Sequence, residues 1–187
     1  AEHLPITSHL LAWEDDWEAA GLGTDSVDVA FASRSLMAEA VGPFVAKLDS
    51  AARSRAAVVV PASPLPSRDP RLLTYLGRTA KRPRVVRDVT RALTSLGRIP
   101  VVATTRTFRP MRFSSFDEAR SDLRRLAGPE PFTAREQRLF DAYSAQHIVR
   151  QAAESPSGET SQMWVLDYAL PVTWVFIGWR TDGSPWG

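Results

Sequence analysis

The 187-residue sequence contains no cysteine, only three histidines and no apolar run close to the roughly 20 residues that cross a bilayer. Without cysteine there can be no disulfide, no thiolate metal site and no cysteine nucleophile. The histidines, His3, His9 and His147, have no partner at the spacing of metal ligands, so we expect no metal site. The absence of a G-x-S-x-G sequence argues against a serine hydrolase.

The composition is typical of a globular protein, because 44% of the residues are apolar and 24% are charged. The length suits one domain with a substantial core, and we expect a single domain over residues 1–187. The first residues have no basic start followed by an apolar stretch. We therefore expect a cytoplasmic protein with no membrane partner.

The charges are unevenly distributed along the chain. Residues 1–50 hold nine acids against Arg34 and Lys47, whereas residues 78–112 hold ten bases against Asp88. The bases are Arg78, Lys81, Arg82, Arg84, Arg87, Arg91, Arg98, Arg106, Arg109 and Arg112. Such a segment could follow a phosphate backbone, but three of its arginines share the polar face of an amphipathic helix. We interpret it as a solvated surface and expect no nucleic-acid partner.

Hydrophobic patterning predicts strands and helices in alternation. The predicted strands are residues 6–13, 27–33, 57–60, 99–107 and 172–179. The predicted helices are one from Ser35 that Pro43 kinks or delays, a short turn at 72–76, one at 85–96 closed by Gly97, and a pair within 114–150 opened by capping boxes at Ser115 and Thr133. The polar residues 154–162 predict a flexible loop. Strand, helix, strand is the crossover unit of an α/β fold.

Three stretches resemble the S-adenosylmethionine-dependent methyltransferases of Rossmann-like fold, specifically an uncharacterised bacterial branch. They are residues 13–23 (WEDDWEAAGLG), 28–36 (DVAFASRSL) and 113–119 (FSSFDEA). The resemblance implies family strands 3 to 7 of a sheet whose full order is 3-2-1-4-5-7-6, with helices on its faces and the added helical pair at 114–150. The family's glycine-rich turn after strand one and its ribose-binding acid after strand two do not occur here. The resemblance thus implies the C-terminal part of a longer enzyme, inactive alone.

The same resemblance implies candidate sites for the donor, S-adenosyl-L-methionine. Asp15 or Asp16 would accept the adenine amine and Trp13 would flank the ring. Ala32, Ser33 and Arg34 would contact the donor's methionine end or the acceptor. In the alternative, the acids stabilise the first turn of a helix, and Ser33 or Ser35 caps the next helix. The sequence nominates no catalytic base.

The expected function is methyl transfer to a small-molecule acceptor by the complete enzyme. Two alternatives remain open: a non-catalytic interaction or accessory module that retains the fold, and an RNA-associated protein. With family strands one and two absent, residues 27–33 would present an unpaired edge. Residues 6–13 could pair with that edge, a second copy or the missing N-terminal half could dock on it, or the protein could aggregate. We expect a tendency to self-associate.

Overall fold

The computed structural model describes residues 6–36, 40–63, 65–79, 83–154 and 160–187, and these residues form a mixed α/β structure, which confirms the expected class. In chain order the elements are β1 (Val27–Ser33), α1 (Gly42–Ala51), β2 (Ala52–Pro61), α2 (Pro70–Leu76), α3 (Val85–Ser95), β3 (Val101–Arg109), β4 (Arg112–Phe113), α4 (Phe116–Leu126), α5 (Ala134–His147), β5 (Ile148–Glu154), β6 (Thr160–Leu166) and β7 (Leu170–Arg180).

The described residues divide into two compact units. The first comprises the residues up to Val60, Arg84–Ala103 and Phe176–Gly187, and the second comprises Pro61–Pro83 and Thr104–Val175. A single domain over residues 1–187 stays a prediction.

A four-stranded sheet has the order β1-β2-β7-β3. β1 and β2 are parallel, with Ala30 opposite Ala56. β7 runs antiparallel to β2, because the Thr181 N–H donates to the Ser54 carbonyl (3.1 Å) and the Ala62 N–H donates to the Thr173 carbonyl (2.9 Å). The strand that comes last in the sequence is therefore inserted between two strands that precede it.

Local sequence signals set the ends of the helices as expected. Pro43 stands in the first turn of α1 and delays that helix to Gly42. Gly97 adopts a left-handed conformation (φ 69°) just after α3. At the start of α4 the expected capping box is incomplete, because the hydroxyl of Ser115 accepts from the Glu118 N–H but the Glu118 carboxylate accepts from Ser114. Thr133 forms a complete capping box with Glu136 at the start of α5.

The expected strand at residues 6–13 is wrong, because the structure gives those residues no strand pairing. Their polar backbone groups bond locally instead: the Ala12 N–H donates to the Asp15 carboxylate (2.7 Å), and the Ala12 carbonyl accepts from the Trp17 indole (3.0 Å). Ile6 and Leu10 are exposed. β1 is thus an edge strand whose Val29 and Phe31 are more than half exposed, and self-association through it stays a prediction.

The expected loop at residues 154–162 is wrong at its ends, because residue 154 belongs to β5 and residues 160–162 belong to β6, and these strands pair antiparallel; the rest of that loop, residues 155–159, lies outside the described residues. The pairing runs from Ile148 opposite Leu166 to Glu154 opposite Thr160. Ile148 and Leu166 are buried and fix the register, and main-chain hydrogen bonds extend the ladder without regard to side-chain polarity. β4, which the sequence did not predict, completes this second sheet in the order β4-β6-β5.

Each unit has its own apolar core. In the first unit α1 packs against β1 and α3, and Val45, Val58 and Trp179 are fully or almost fully buried. In the second unit Leu72, Leu123 and Phe140 belong to one cluster. Among the described residues, no helix is long and apolar enough to cross a membrane.

The buried carboxylate of Asp49 links three segments of the first unit by hydrogen bonds. Asp49 accepts two hydrogen bonds from the Arg98 guanidinium, both at 2.9 Å, and one from the Trp179 indole, also at 2.9 Å. Asp49 lies on α1, Arg98 follows α3 and Trp179 lies on β7. The carboxylate therefore joins two helices to the inserted strand.

Replacing Asp49 with alanine is expected to destabilise the chain by about 2–3 kcal/mol, because it leaves a buried indole N–H and a guanidinium without their acceptor. Urea unfolding measures the effect. Asp28→Ala is the matched control, since Asp28 pairs with Arg53 at the surface and should cost about 1 kcal/mol or less. Equal losses in the two variants would contradict the assigned importance of Asp49.

The guanidinium of Arg78 organises the loop before α5. It donates to the Glu136 carboxylate (2.6 Å) and the Pro131 carbonyl (2.9 Å), and it lies over the Phe132 ring. The Arg78 hydrogen bond, followed by those from Thr133, lowers the pKa of Glu136 from the ordinary value of 4.5 to about 2. The charged carboxylate is therefore the form that the folded chain stabilises.

This pKa shift predicts a pH-dependent contribution to stability. Because the folded-state pKa is lowered, the stabilisation is fully present above about pH 4.5 and is lost as the pH falls towards 2. The difference in urea midpoint between the wild type and Glu136→Gln should accordingly be largest above pH 5 (roughly) and shrink on acidification. A difference that stays constant down to the lowest pH at which the chain folds would contradict the assignment.

Candidate functional site

Trp13, the tryptophan nominated from the sequence, links the acidic turn (residues 14–16, Glu-Asp-Asp) to the end of β1. The indole N–H of Trp13 donates to the Ser35 carbonyl (3.1 Å), two residues beyond β1. Its ring stacks on Trp17 and packs against Phe44 of α1, with both pairs of ring centroids 5.1 Å apart. The structure therefore brings the acidic turn and residues 32–35 to the same end of β1.

Asp15 and Asp16 both bond to the backbone of their own turn. One oxygen of Asp15 accepts from the Ala12 N–H, and one oxygen of Asp16 accepts from the N–H groups of Glu18 (3.0 Å) and Ala19 (3.1 Å). These bonds hold a turn and not the start of a helix, because the structure has no helix at residues 13–23, so the helix that the alternative interpretation expected does not form. Both residues are exposed, and each carboxylate has a second oxygen that can accept from a ligand.

A cavity of about 400 Å³ lies beside the acidic turn. Its walls include the residues Glu14, Asp15, Asp16, Glu18, Trp17 and Lys47. The ammonium of Lys47 donates to the carbonyls of Trp13 and Asp15, both at 2.6 Å, and so it binds main-chain oxygens of the turn. The cavity combines several carboxylates with one indole ring, which suits a flat ligand that donates hydrogen bonds.

The end of β1 adopts a constrained conformation. Ala32 is buried opposite Val58 and Ser33 lies opposite Val59. Arg34 then turns left-handed (φ 62°), while its N–H still donates to the Val59 carbonyl (3.1 Å). A residue other than glycine rarely adopts this conformation, and such positions cluster at functional sites.

The structure adds Trp17 and Lys47 to the residues that the sequence nominated. Trp17 lines the cavity, whereas Trp13 packs behind the turn and is not among the lining residues. The sequence gives no signal for Lys47, since it lies on α1 and reaches the turn only through the fold. Ser33 and Ser35 do not cap α1, which begins later, at Gly42, without a side-chain cap.

A second group of polar residues lies inside the second unit. The carboxylate of Asp69 is buried, caps α2 and accepts from the hydroxyl of Tyr168, which in turn accepts from Tyr143 (2.8 Å). Burial raises the pKa of Tyr143 to about 12, and burial together with the Asp69 contact raises that of Tyr168 further. These tyrosines stay neutral and act as hydrogen-bonding groups of the core.

His147 has a carboxylate partner that the sequence did not suggest. Its Nδ1 lies 3.0 Å from Asp167, and its ring packs against Tyr143 and Tyr168. A carboxylate on Nδ1 orients an imidazole and leaves Nε2 as the nitrogen that exchanges protons with a reactant. His147 and Asp167 thus form the arrangement of a general base and its orienting group.

Comparison with known proteins gives no assignment for this chain: no family model matches it, and no curated protein matches it.

Replacing Lys47 with methionine is expected to loosen the acidic turn, because two main-chain carbonyls lose their donor. Amide hydrogen exchange over residues 12–19 should quicken by roughly tenfold, as expected from the loss of one or two hydrogen bonds. Exchange in β2 should not change. Lys47→Arg, which keeps a cationic donor, serves as the control, and unchanged exchange in Lys47→Met would contradict the assigned role.

Proposed function

We propose that this chain is part of a cytoplasmic S-adenosylmethionine-dependent methyltransferase that acts on a small-molecule acceptor. The observation that carries the proposal is the strand order. With β1, β2, β3 and β7 taken as family strands four, five, six and seven, the order β1-β2-β7-β3 corresponds to 4-5-7-6. Strands paired in simple sequence order would instead give β1-β2-β3-β7, so the agreement is not a trivial result of connectivity.

The position of the acidic turn supports the donor site. Ligands of open α/β folds bind at the carboxyl ends of the strands, and the Trp13 hydrogen bond to Ser35 holds the turn at that end of β1. The cavity beside the turn has about the volume of a small-molecule site. Its carboxylates fit the exocyclic amine of adenine, which donates hydrogen bonds, and the Trp17 ring offers a stacking surface.

The residues of this chain would bind and orient the reactants. S-adenosylmethionine supplies an electrophilic methyl group on a sulfonium. Asp15 or Asp16 would accept from the adenine amine, while Ala32, Ser33 and Arg34 would line the methionine end or the acceptor. Methyl transfer then depends mainly on in-line placement of the acceptor, which loses its proton to a base.

This chain alone is expected to bind the donor weakly. Its sequence has no G-x-G after a strand, and that turn supplies close main-chain contacts to the donor in the family. Calorimetry should therefore find a dissociation constant weaker than about 1 µM, which corresponds to about −8 kcal/mol. Tighter binding would contradict this expectation, because it requires a more complete site.

Saturation-transfer NMR with S-adenosylhomocysteine tests the site itself, since the method detects weak binding. Transfer should be strongest to the adenine protons, and Asp15→Asn with Asp16→Asn should weaken binding by about tenfold, because the acceptors lose their charge. Asparagine retains an oxygen that can cap the turn, so the loop is preserved.

Asp28→Asn is the matched control, because Asp28 is an exposed acid of β1 that does not line the cavity. Saturation transfer to S-adenosylhomocysteine from this variant should equal that from the wild type. Absence of any transfer, or equal transfer in the double variant, would contradict the donor site and favour a non-catalytic interaction module.

A further inference from the structure

A second cavity, of about 530 Å³, lies entirely within the second unit and is lined by arginines. The cationic lining residues are Arg68, Arg109 and Arg125, and the apolar ones are Pro66, Met111 and Leu126. Its volume is in the range of sites that hold small molecules. The lining contains three arginines and one acid, Asp122, so it carries net positive charge.

The arginines come from three different parts of the chain and are oriented by different partners. Arg109, at the end of β3, donates to the Pro66 carbonyl (3.1 Å), and Arg68 donates to the Ser67 carbonyl (2.8 Å). Main-chain carbonyls orient a guanidinium without neutralising it. Only Arg125 has an acidic partner among the lining residues, in Asp122 one helical turn earlier. Each guanidinium has further N–H groups that can bind an anion.

Three other cavities formed by described residues carry charges that are paired with acids or are mainly negative. The neighbouring cavity of about 330 Å³ contains Arg78 and shares Arg68, but Glu136 neutralises Arg78 and Glu130 also lines that cavity. The groove beside α3 has Arg84, Arg87 and Arg91 on a single helix face, and Asp88 pairs with Arg87. The cavity beside the acidic turn carries mainly carboxylates. Arginines from separate segments, two of them without an acidic partner among the lining residues, distinguish the 530 Å³ cavity from these three.

The apolar residues of this cavity restrict the ligand further. Pro66, Met111 and Leu126 offer carbon surface beside the guanidinium groups. Arginine binds carboxylates and phosphates through paired N–H groups, whereas the adjacent carbon surface gains from covering an apolar body. We propose that this cavity binds a small anionic molecule that carries a carboxylate or phosphate on an apolar body. The proposal goes beyond methyl transfer and does not rest on it.

Four probes test the proposal by NMR titration of the full chain at low ionic strength: phenyl phosphate, benzoate, benzyl alcohol and inorganic phosphate. Phenyl phosphate or benzoate should bind at least about tenfold more tightly than benzyl alcohol, because the alcohol cannot pair with arginine. Inorganic phosphate should bind more weakly than phenyl phosphate, because it has no apolar body. Equal binding of the alcohol would overturn the anionic requirement, and equal binding of inorganic phosphate would overturn the apolar one.

Variants locate the binding in this cavity. Arg68→Gln combined with Arg109→Gln should weaken binding of the anionic probes by at least about tenfold. Arg138→Gln, an exposed arginine of α5 in the same unit, should leave binding unchanged. Arg68→Lys, which keeps the charge but not the planar fork, should retain part of the affinity and guards against a fold defect in the double variant. Unchanged affinity in the double variant, or an equal loss in Arg138→Gln, would overturn the proposal.

Discussion

The carboxylate of Asp49 connects three segments of the first unit that are far apart in the sequence. It accepts from Arg98 after α3 and from the indole of Trp179 on β7 while it lies on α1. Because β7 is the last strand of the chain yet lies between β2 and β3, the sheet is incomplete until this strand is in position. A buried acceptor with three satisfied hydrogen bonds selects that arrangement, since any other position of β7 leaves the acid without its indole donor.

The second unit contains a comparable hydrogen-bond network around a buried aspartate, in which the aromatic donor is a tyrosine. Asp69 caps α2 with one carboxylate oxygen and accepts from the Tyr168 hydroxyl with the other. In each unit, a fully satisfied aspartate thus fixes a helix to an aromatic residue from a later part of the chain. A carboxylate in such a place would be costly if it lacked any one partner, so the networks specify the packing as well as stabilise it.

The helices were predictable because their signals are local. Pro43, Gly97, Ser115 and Thr133 act on the backbone within one turn, and each acts as its residue type predicts. The strands were less predictable because pairing depends on remote partners. Residues 6–13 have strand-like composition but pair with no strand of the described residues, although β1 offers an edge, whereas the polar hairpin of β5 and β6 forms because buried residues at its base fix the register. Neither outcome can be deduced from a short window of sequence.

At the candidate donor site, too, the residues were predictable from local sequence, whereas the contacts between distant residues were not. The acids of the turn and the residues after β1 were found from sequence, but the groups that hold them together, Lys47 and the Trp13 hydrogen bond to Ser35, depend on the fold. Lys47 binds carbonyls and not carboxylates, so the turn gains rigidity while the cavity keeps its negative charge. Arg34, whose N–H donates to the Val59 carbonyl, adopts the left-handed conformation. The next residue, Ser35, provides the carbonyl to which the Trp13 indole donates. The strained position and the acidic cavity therefore belong to one structural unit, as expected of a preorganised binding site.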